Sequence, residues 1–177
     1  MTDDGTEVCM KRMTDTERGG EKLRILFVCW GNICRSPMAE FIMKDMVKRA
    51  GLEDRFEIAS AATSGEEIRG DGTGNPVYPP ARRILEAHGL DCGDKRARQM
   101  TREDYDRWDL LIGMEEMNLR YMKRITGGDP DNRIRRLLDW SNRPRDIADP
   151  WFSGDFEAAW RDIGEGCAAL LAALTEK

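Results

Sequence analysis

From residue 23 onward, apolar and polar positions alternate in blocks that mark out secondary structure. Residues 23–28 read Leu-Arg-Ile-Leu-Phe-Val, a nearly continuous apolar run that predicts a central parallel strand buried on both faces. Residues 37–50 change to a helical period: Met38, Phe41 and Ile42 share one face, Met46 follows a turn later, and Gly51 stands where a helix stops. Ser36 is placed as the N-cap of that helix and Pro37 as its first residue. A second strand is expected over 55–59. The polar stretch 65–79, with four glycines and an Asn-Pro pair, is a loop. Residues 81–88 form a short helix ending at Gly89, and Thr101 to Asp104 begin a helical turn. A third strand is expected over 109–114, a helix over 115–125 that stops at Gly127 and Gly128, and a fourth strand over 134–138. The clearest helix spans 155–174, where Phe156, Trp160, Ile163, Cys167, Leu170, Leu171 and Leu174 recur at three- and four-residue spacing.

Strands alternating with helices imply an α/β fold of three layers, a doubly wound parallel sheet with helices on both faces. Ligands of such sheets bind beyond the carboxyl ends of the strands, and Cys29 follows the first strand at that edge. Residues 1–22 are polar and aperiodic and read as a disordered leader, leaving 23–177 as one domain.

Composition narrows the functions open to this domain. A formal net charge of -5 argues against nucleic acid as a partner. No apolar stretch reaches membrane-span length, and residues 1–22 lack the apolar run of a secretory signal. Five scattered cysteines (Cys9, Cys29, Cys34, Cys92, Cys167) form neither paired CxxC motifs nor a secreted disulfide framework. A reducing cytoplasm is the expected location, and no metal or cofactor is expected. The single histidine, His88, falls near a helix end, where a cap or core role is expected of it.

The chemistry concentrates in Cys29-Trp30-Gly31-Asn32-Ile33-Cys34-Arg35-Ser36-Pro37. Curling between strand and helix, the amides of Trp30, Gly31, Asn32, Ile33, Cys34 and Arg35 can form a nest for a tetrahedral oxyanion. Gly31 and Asn32 tolerate the positive φ such a curl needs, and the following helix adds its dipole. A helix N-terminus and a nearby arginine bring cysteine pKa values down to about 3.5–7.5, which makes Cys29 the candidate nucleophile. Arg35 can grip two phosphate oxygens with its planar fork. The Ser36 hydroxyl can donate to the Cys29 sulfur when a thiophosphate breaks down. Far downstream, Asp149-Pro150-Trp151-Phe152 offers a carboxyl as general acid, then base, beside two aromatics. The expected mechanism is nucleophilic displacement through a cysteinyl-phosphate, with amides and Arg35 neutralising the equatorial charge in place of a metal.

With these residues in place the sequence resembles the low-molecular-weight protein tyrosine phosphatase family. The resemblance rests on residues 28–37, Ser60-Ala61-Ala62-Thr63-Ser64-Gly65, Ala97-Arg98-Gln99, Met114-Glu115-Glu116-Met117-Asn118-Leu119 and Asp149-Pro150, in the family's order. It implies a four-stranded parallel sheet of flavodoxin-like type and a phosphotyrosine protein or peptide as substrate. It also implies Cys29 as nucleophile, Arg35 as phosphate clamp and Asp149 as acid. Asn32 and Ser60 resemble the family's hydrogen-bonded pair that braces the loop, with Ser36 beside them. Trp151 and Phe152 stand in for the family's aromatic wall, where tyrosines are common, and Trp30 extends the substrate wall from a rim position that in the family is often a smaller apolar residue; Glu66 stands where many members carry an aromatic, which gives one wall an acidic character. In that family a second loop cysteine, here Cys34, can pair with the nucleophile as a reversible redox switch.

Two other activities share this architecture. Members acting on phosphoarginine tend to carry threonine in the place of Ile33, so isoleucine favours phosphotyrosine. Arsenate reductases of similar fold relay a disulfide through two further clustered cysteines, whereas Cys92 stands alone and no cysteine lies between it and Cys167. A binding module without turnover would not need Cys29, Arg35 and Asp149 together.

Overall fold

In the computed structural model, which describes residues 20–176, strand β1 (Leu23–Cys29) lies between β2 (Phe56–Ala62) and β3 (Leu110–Gly113). Strand β4 (Ile134–Arg136) pairs with the far side of β3, so the order is β2-β1-β3-β4. Every pairing is parallel, with Cys29 opposite Ala62 and Val28 opposite Gly113, so the carboxyl ends of the strands gather at one edge. The expected leader falls outside the described residues apart from 20–22, as does Cys9.

The apolar run of β1 serves two cores because successive side chains point to opposite faces. Ile25 and Phe27 pack with residues of helices α1 (Arg35–Arg49), α2 (Pro79–Ala87) and α6 (Phe156–Thr175). Leu26 and Val28 face the other layer, with Tyr105 of α3 (Asp104–Arg107), the adjoining Trp108, and Leu119 and Met122 of α4 (Glu116–Thr126). All four strand residues are fully buried, each contributing on the order of 2 kcal/mol of apolar transfer free energy. The result is the doubly wound, flavodoxin-like sheet expected of the sequence. No helix among the described residues is long and apolar enough to cross a membrane.

Several boundaries differ from the sequence reading for physical reasons. Helix α1 begins at Arg35, with Cys34 as its N-cap, so Ser36 lies inside the first turn and is not the cap. The Ser36 hydroxyl is turned inward to Asn32 and Cys29 instead. Strand β2 runs on to Ala62, because Ser60, Ala61 and Ala62 still pair with Phe27, Val28 and Cys29. β4 ends early, at Arg136, and a 3₁₀ turn (Leu137–Trp140) buries Leu137 against α6. There Gly166 leaves the space: a Cβ on it would meet Leu137 Cγ at 2.5 Å. A short helix, α5 (Pro150–Ser153), follows Asp149 and was not expected. The last helix matches its periodicity, and Asp155 caps it by accepting from Ala158 N at 2.8 Å. His88 is the C-cap residue of α2, and its ring stacks on Trp160 at 4.0 Å.

Candidate active site

Residues 29–36 curl from the carboxyl edge of β1 into the first turn of α1. The carbonyls of Cys29 and Trp30 accept from Thr63 N and Ser64 N at 2.9 Å, and those of Ile33 and Cys34 accept from Tyr78 N at 2.8 Å and Met38 N at 3.1 Å. In a trans peptide the N–H points opposite to the C=O. The amides of Trp30, Gly31, Cys34 and Arg35 are therefore directed away from those partners, toward the inside of the curl. Asn32 takes φ 57° at its tip, a left-handed conformation that asparagine tolerates better than most residues. Its side chain holds it there: Nδ2 donates to Ser36 Oγ at 2.8 Å and Ser60 Oγ at 2.9 Å, while Oδ1 accepts from Arg98 N at 3.1 Å.

The Cys29 thiol is buried, with its sulfur 3.0 Å from Ser36 Oγ. Arg35 is the largest fully buried side chain, 1% exposed. Its Nη1 donates to Ile147 O at 2.9 Å, and its Nη2 donates to Glu115 Oε1 and Asp149 Oδ2, each at 3.1 Å. Burial opposes the charge on Arg35, but the neighbouring Cys29, Glu115 and Asp149 outweigh it and hold the guanidinium pKa above its ordinary value. Asp149 is fixed at both oxygens: Oδ2 faces Arg35, and Oδ1 accepts from Trp151 N at 3.1 Å as the cap of α5. Pro150, at the first helical position, sets that turn.

A cavity of about 320 Å³ opens above this arrangement. Cys29, Gly31, Ile33, Cys34 and Arg35 line it at the loop, and Trp30, Trp151 and Phe152 supply aromatic surface. Trp151 and Phe152 are 55% and 85% exposed, so neither anchors the core. Tyr78 backs Trp151 at 5.0 Å, and Tyr121 meets Trp30 edge-on at 5.3 Å. The Trp30 indole N–H donates to Glu66 Oε2 at 3.0 Å, which brings Glu66 to the rim. The Cys34 thiol is buried in the loop wall; burial, then the Cys29 and Asp149 charges, push its pKa well up.

Every candidate catalytic, phosphate-binding, loop-supporting and wall residue read from the sequence falls in or directly behind this cavity, with Asn32, Ser36 and Ser60 forming its back. Sequence reasoning missed Glu67, which lines it, and the two groups that share Arg35, namely Glu115 and the Ile147 carbonyl. Glu115 stood in a quoted motif without a role, and a backbone carbonyl leaves no signature in side-chain identity. It also missed Glu40 and Lys95, a buried ion pair at 3.1 Å behind Ser60. The position of Glu40 on the buried face of α1, one turn after Ser36, was the available signal.

Comparison with known proteins places the arrangement among relatives. A family model described as low molecular weight phosphotyrosine protein phosphatase matches residues 24–177. The low molecular weight protein-tyrosine-phosphatase YfkJ of Bacillus subtilis is 36% identical over 157 residues, covering 88% of this chain and 97% of that protein. Its crystal structure superposes with a TM-score of 0.84, covering 89% of this chain and 98% of the other. The low molecular weight phosphotyrosine protein phosphatase of Gallus gallus is 35% identical over 157 residues, covering 86% and 96%. The low molecular weight protein tyrosine phosphatase of Streptococcus pyogenes, SP-PTP, superposes with a TM-score of 0.76 at 33% identity, covering 88% and 95%.

Proposed function

The chain belongs to the low molecular weight phosphotyrosine protein phosphatase family, and we propose that Cys29, Arg35 and Asp149 carry out its hydrolysis of phosphotyrosine in proteins and peptides. The observation that carries this reading is the convergence of three distant segments on one cavity: the Cys29 thiol, the Arg35 guanidinium and the Asp149 carboxyl.

In the first step the Cys29 thiolate attacks phosphorus, the P–O ester bond breaks, and its electron pair leaves on the phenolic oxygen. Asp149 delivers a proton to that oxygen. The loop amides and Arg35 stabilise the equatorial oxygens as charge redistributes, a preorganised field that needs no reorganisation during reaction. In the second step Asp149 takes a proton from water as the water attacks phosphorus. The S–P bond breaks, its electron pair returns to sulfur, and the Ser36 hydroxyl donates to that sulfur.

Aromatic surface from Trp30, Trp151 and Phe152 suits the flat ring of phosphotyrosine, and Ile33 favours it over phosphoarginine. Glu66 on the rim gives flanking peptide residues an acidic neighbour. Cys29 and Cys34 line one cavity as free thiols, which supports a reversible disulfide between them. Free thiols at Cys29, Cys34, Cys92 and Cys167 also suit a reducing cytoplasm.

The test is steady-state kinetics on matched phosphotyrosine, phosphoserine and phosphoarginine peptides, with Cys29→Ser as control. Turnover of phosphotyrosine alone, abolished in Cys29→Ser while vanadate still binds, is the expected result. Retained turnover in that variant would remove Cys29 as the nucleophile, and a preference for phosphoarginine would overturn the substrate.

A further inference from the structure

Beyond β2 the chain makes a turn closed by Ile68 N donating to Gly65 O at 3.0 Å, which puts Glu66 and Glu67 at its two central positions. Both line the cavity beside Trp30, Gly31 and Arg35. The other two carboxylates of that lining, Glu115 and Asp149, are each paired with Arg35 at 3.1 Å. Glu66 and Glu67 are held by neutral donors instead, and neither forms an ion pair with a described residue. Glu66 Oε2 accepts from the Trp30 indole N–H at 3.0 Å, and Glu66 N donates to Ser64 Oγ at 3.0 Å. Glu67 Oε2 accepts from Asn75 Nδ2 at 2.7 Å. That amide is itself oriented, because Arg69 Nε donates to Asn75 Oδ1 at 3.1 Å and Asn75 N donates to Glu67 O at 2.8 Å.

Glu67 lies across the phosphate loop: a Cβ on Gly31 would stand 3.1 Å from Glu67 Cγ. Its charge is felt inside the loop. The Cys34 pKa is raised first by burial, then by the Cys29 and Asp149 charges, and Glu67 adds to that rise. Among the described residues that line the cavity, Arg35 is the only cation, set against four carboxylates on a protein of net charge -5. The loop amides and Arg35 attract a phosphate at the floor. At the rim, Glu66 and Glu67 repel an acidic group beside that phosphate and attract a basic one. Each has a carboxylate oxygen beyond the one engaged by Trp30 or Asn75, and an ionised carboxylate can accept from an ammonium or a guanidinium there.

We propose that Glu66 and Glu67 are specificity-determining residues, selecting phosphotyrosine that has a lysine or arginine beside it in the peptide. The inference rests on the hydrolysis of phosphotyrosine proposed above and adds the charge of the sequence around it. The phosphate loop recognises the phosphoryl group, the aromatic surface suits the ring, and the two glutamates read the neighbouring side chains.

The probe is a set of phosphotyrosine peptides that differ only in the residues flanking the phosphotyrosine: lysine, alanine or glutamate on both sides. The readout is kcat/KM for each peptide at low and at high ionic strength. In the parent protein at low salt, the lysine peptide should exceed the alanine peptide by about tenfold, the combined worth of two partly exposed ion pairs. The glutamate peptide should fall below the alanine peptide. At about 1 M salt, where the Debye length is about 3 Å, the lysine-to-alanine ratio should shrink to about twofold. Glu66→Gln/Glu67→Gln keeps an acceptor oxygen for Trp30 and for Asn75 and removes only the charges. Its lysine-to-alanine ratio should be within about twofold even at low salt. A purely structural role of the two glutamates would change kcat/KM for all three peptides alike and leave their ratios where they were. Equal kcat/KM for the three peptides in the parent, or a tenfold ratio that survives in the double variant, would overturn the inference while phosphotyrosine hydrolysis stood. Turnover of none of the three peptides would overturn the proposed function, and this inference with it.

Discussion

The Asp149 carboxylate and the Arg35 guanidinium meet at 3.1 Å, Oδ2 to Nη2, although 114 residues separate them in the chain. The contact joins the proposed proton donor to the proposed phosphate clamp. Arg35 is locked on its other side by Ile147 O and by Glu115, and Asp149 by its capping bond to Trp151 N. A phosphate held by Arg35 as proposed would compete with Asp149 for Nη2 and would free Asp149 Oδ2 for proton transfer.

Replacing Asp149 by alanine should therefore act selectively. General acid catalysis is worth about 10²–10⁴-fold where the leaving group needs a proton. Phenyl phosphate should lose that range in kcat, while an ester of a strongly acidic phenol should lose much less. The check is a plot of log kcat against leaving-group pKa, which should steepen in the variant. Parallel lines for variant and parent would remove Asp149 from the acid role.

Gly74 is buried where the rim loop crosses the segment that carries Arg98, and a Cβ there would stand 1.8 Å from the Ala97 carbonyl oxygen. No rotamer relieves a clash with backbone, so one strand of the crossing must move. Gly74→Ala should cost about 1–3 kcal/mol and should also lower kcat, because Arg98 N orients Asn32. Thermal unfolding and kinetics on the same sample check it. An unchanged Tm would mean that the loop yields without strain.

Such crossings show where the sequence was legible. The apolar run of β1, the period of α6 and the Cys29–Ser36 loop were readable because each is written in neighbouring residues. Asp149 was readable only through the family's motif order, since an Asp-Pro pair by itself marks many turns. The partners of Arg35, the Trp30–Glu66 bond and the Glu40–Lys95 pair join residues at distances in sequence that no local period encodes. Ser36 was misplaced as a cap because serine before proline fits that role locally, while its tertiary partners, Asn32 and Cys29, turn it inward.

Asp104 supplies a pH-dependent contribution to stability. This buried carboxylate accepts from Arg98 Nη1 at 3.0 Å, Arg98 Nη2 at 2.9 Å, Thr101 N at 2.8 Å and Trp108 Nε1 at 3.1 Å. Burial raises its pKa, but these donors outweigh burial and hold it below the ordinary carboxylate value. A carboxyl depressed in the folded state stabilises above its unfolded pKa, about 3.9 for aspartate, and that contribution is lost as pH falls through the lower folded value. Urea midpoints should thus drop as the pH is lowered below about 4. In Asp104→Asn the drop should be shallower, starting from a protein about 1–3 kcal/mol less stable at pH 7. Identical slopes for both proteins would show that Asp104 contributes nothing to the acid transition.

Oxidation tests the pairing of the two loop thiols. Peroxide converts the Cys29 thiolate to a sulfenic acid, and the Cys34 thiol can then attack that sulfur, releasing water and forming a disulfide. Burial and the nearby Cys29 and Asp149 charges hold Cys34 protonated, so it is not the thiol that peroxide reaches first. The same protonation slows its attack, and the outcome is a race between disulfide closure and a second oxidation. Brief, dilute peroxide should give inactivation that dithiothreitol reverses, with a Cys29–Cys34 linkage visible by mass spectrometry. Prolonged or concentrated peroxide should leave a growing fraction as sulfinic acid that dithiothreitol cannot recover. Cys34→Ser should lose the reversible fraction even under the mild treatment. Full recovery of Cys34→Ser, or a parent protein that regains activity with no linkage between the two residues, would show that Cys34 only fills the wall of the loop.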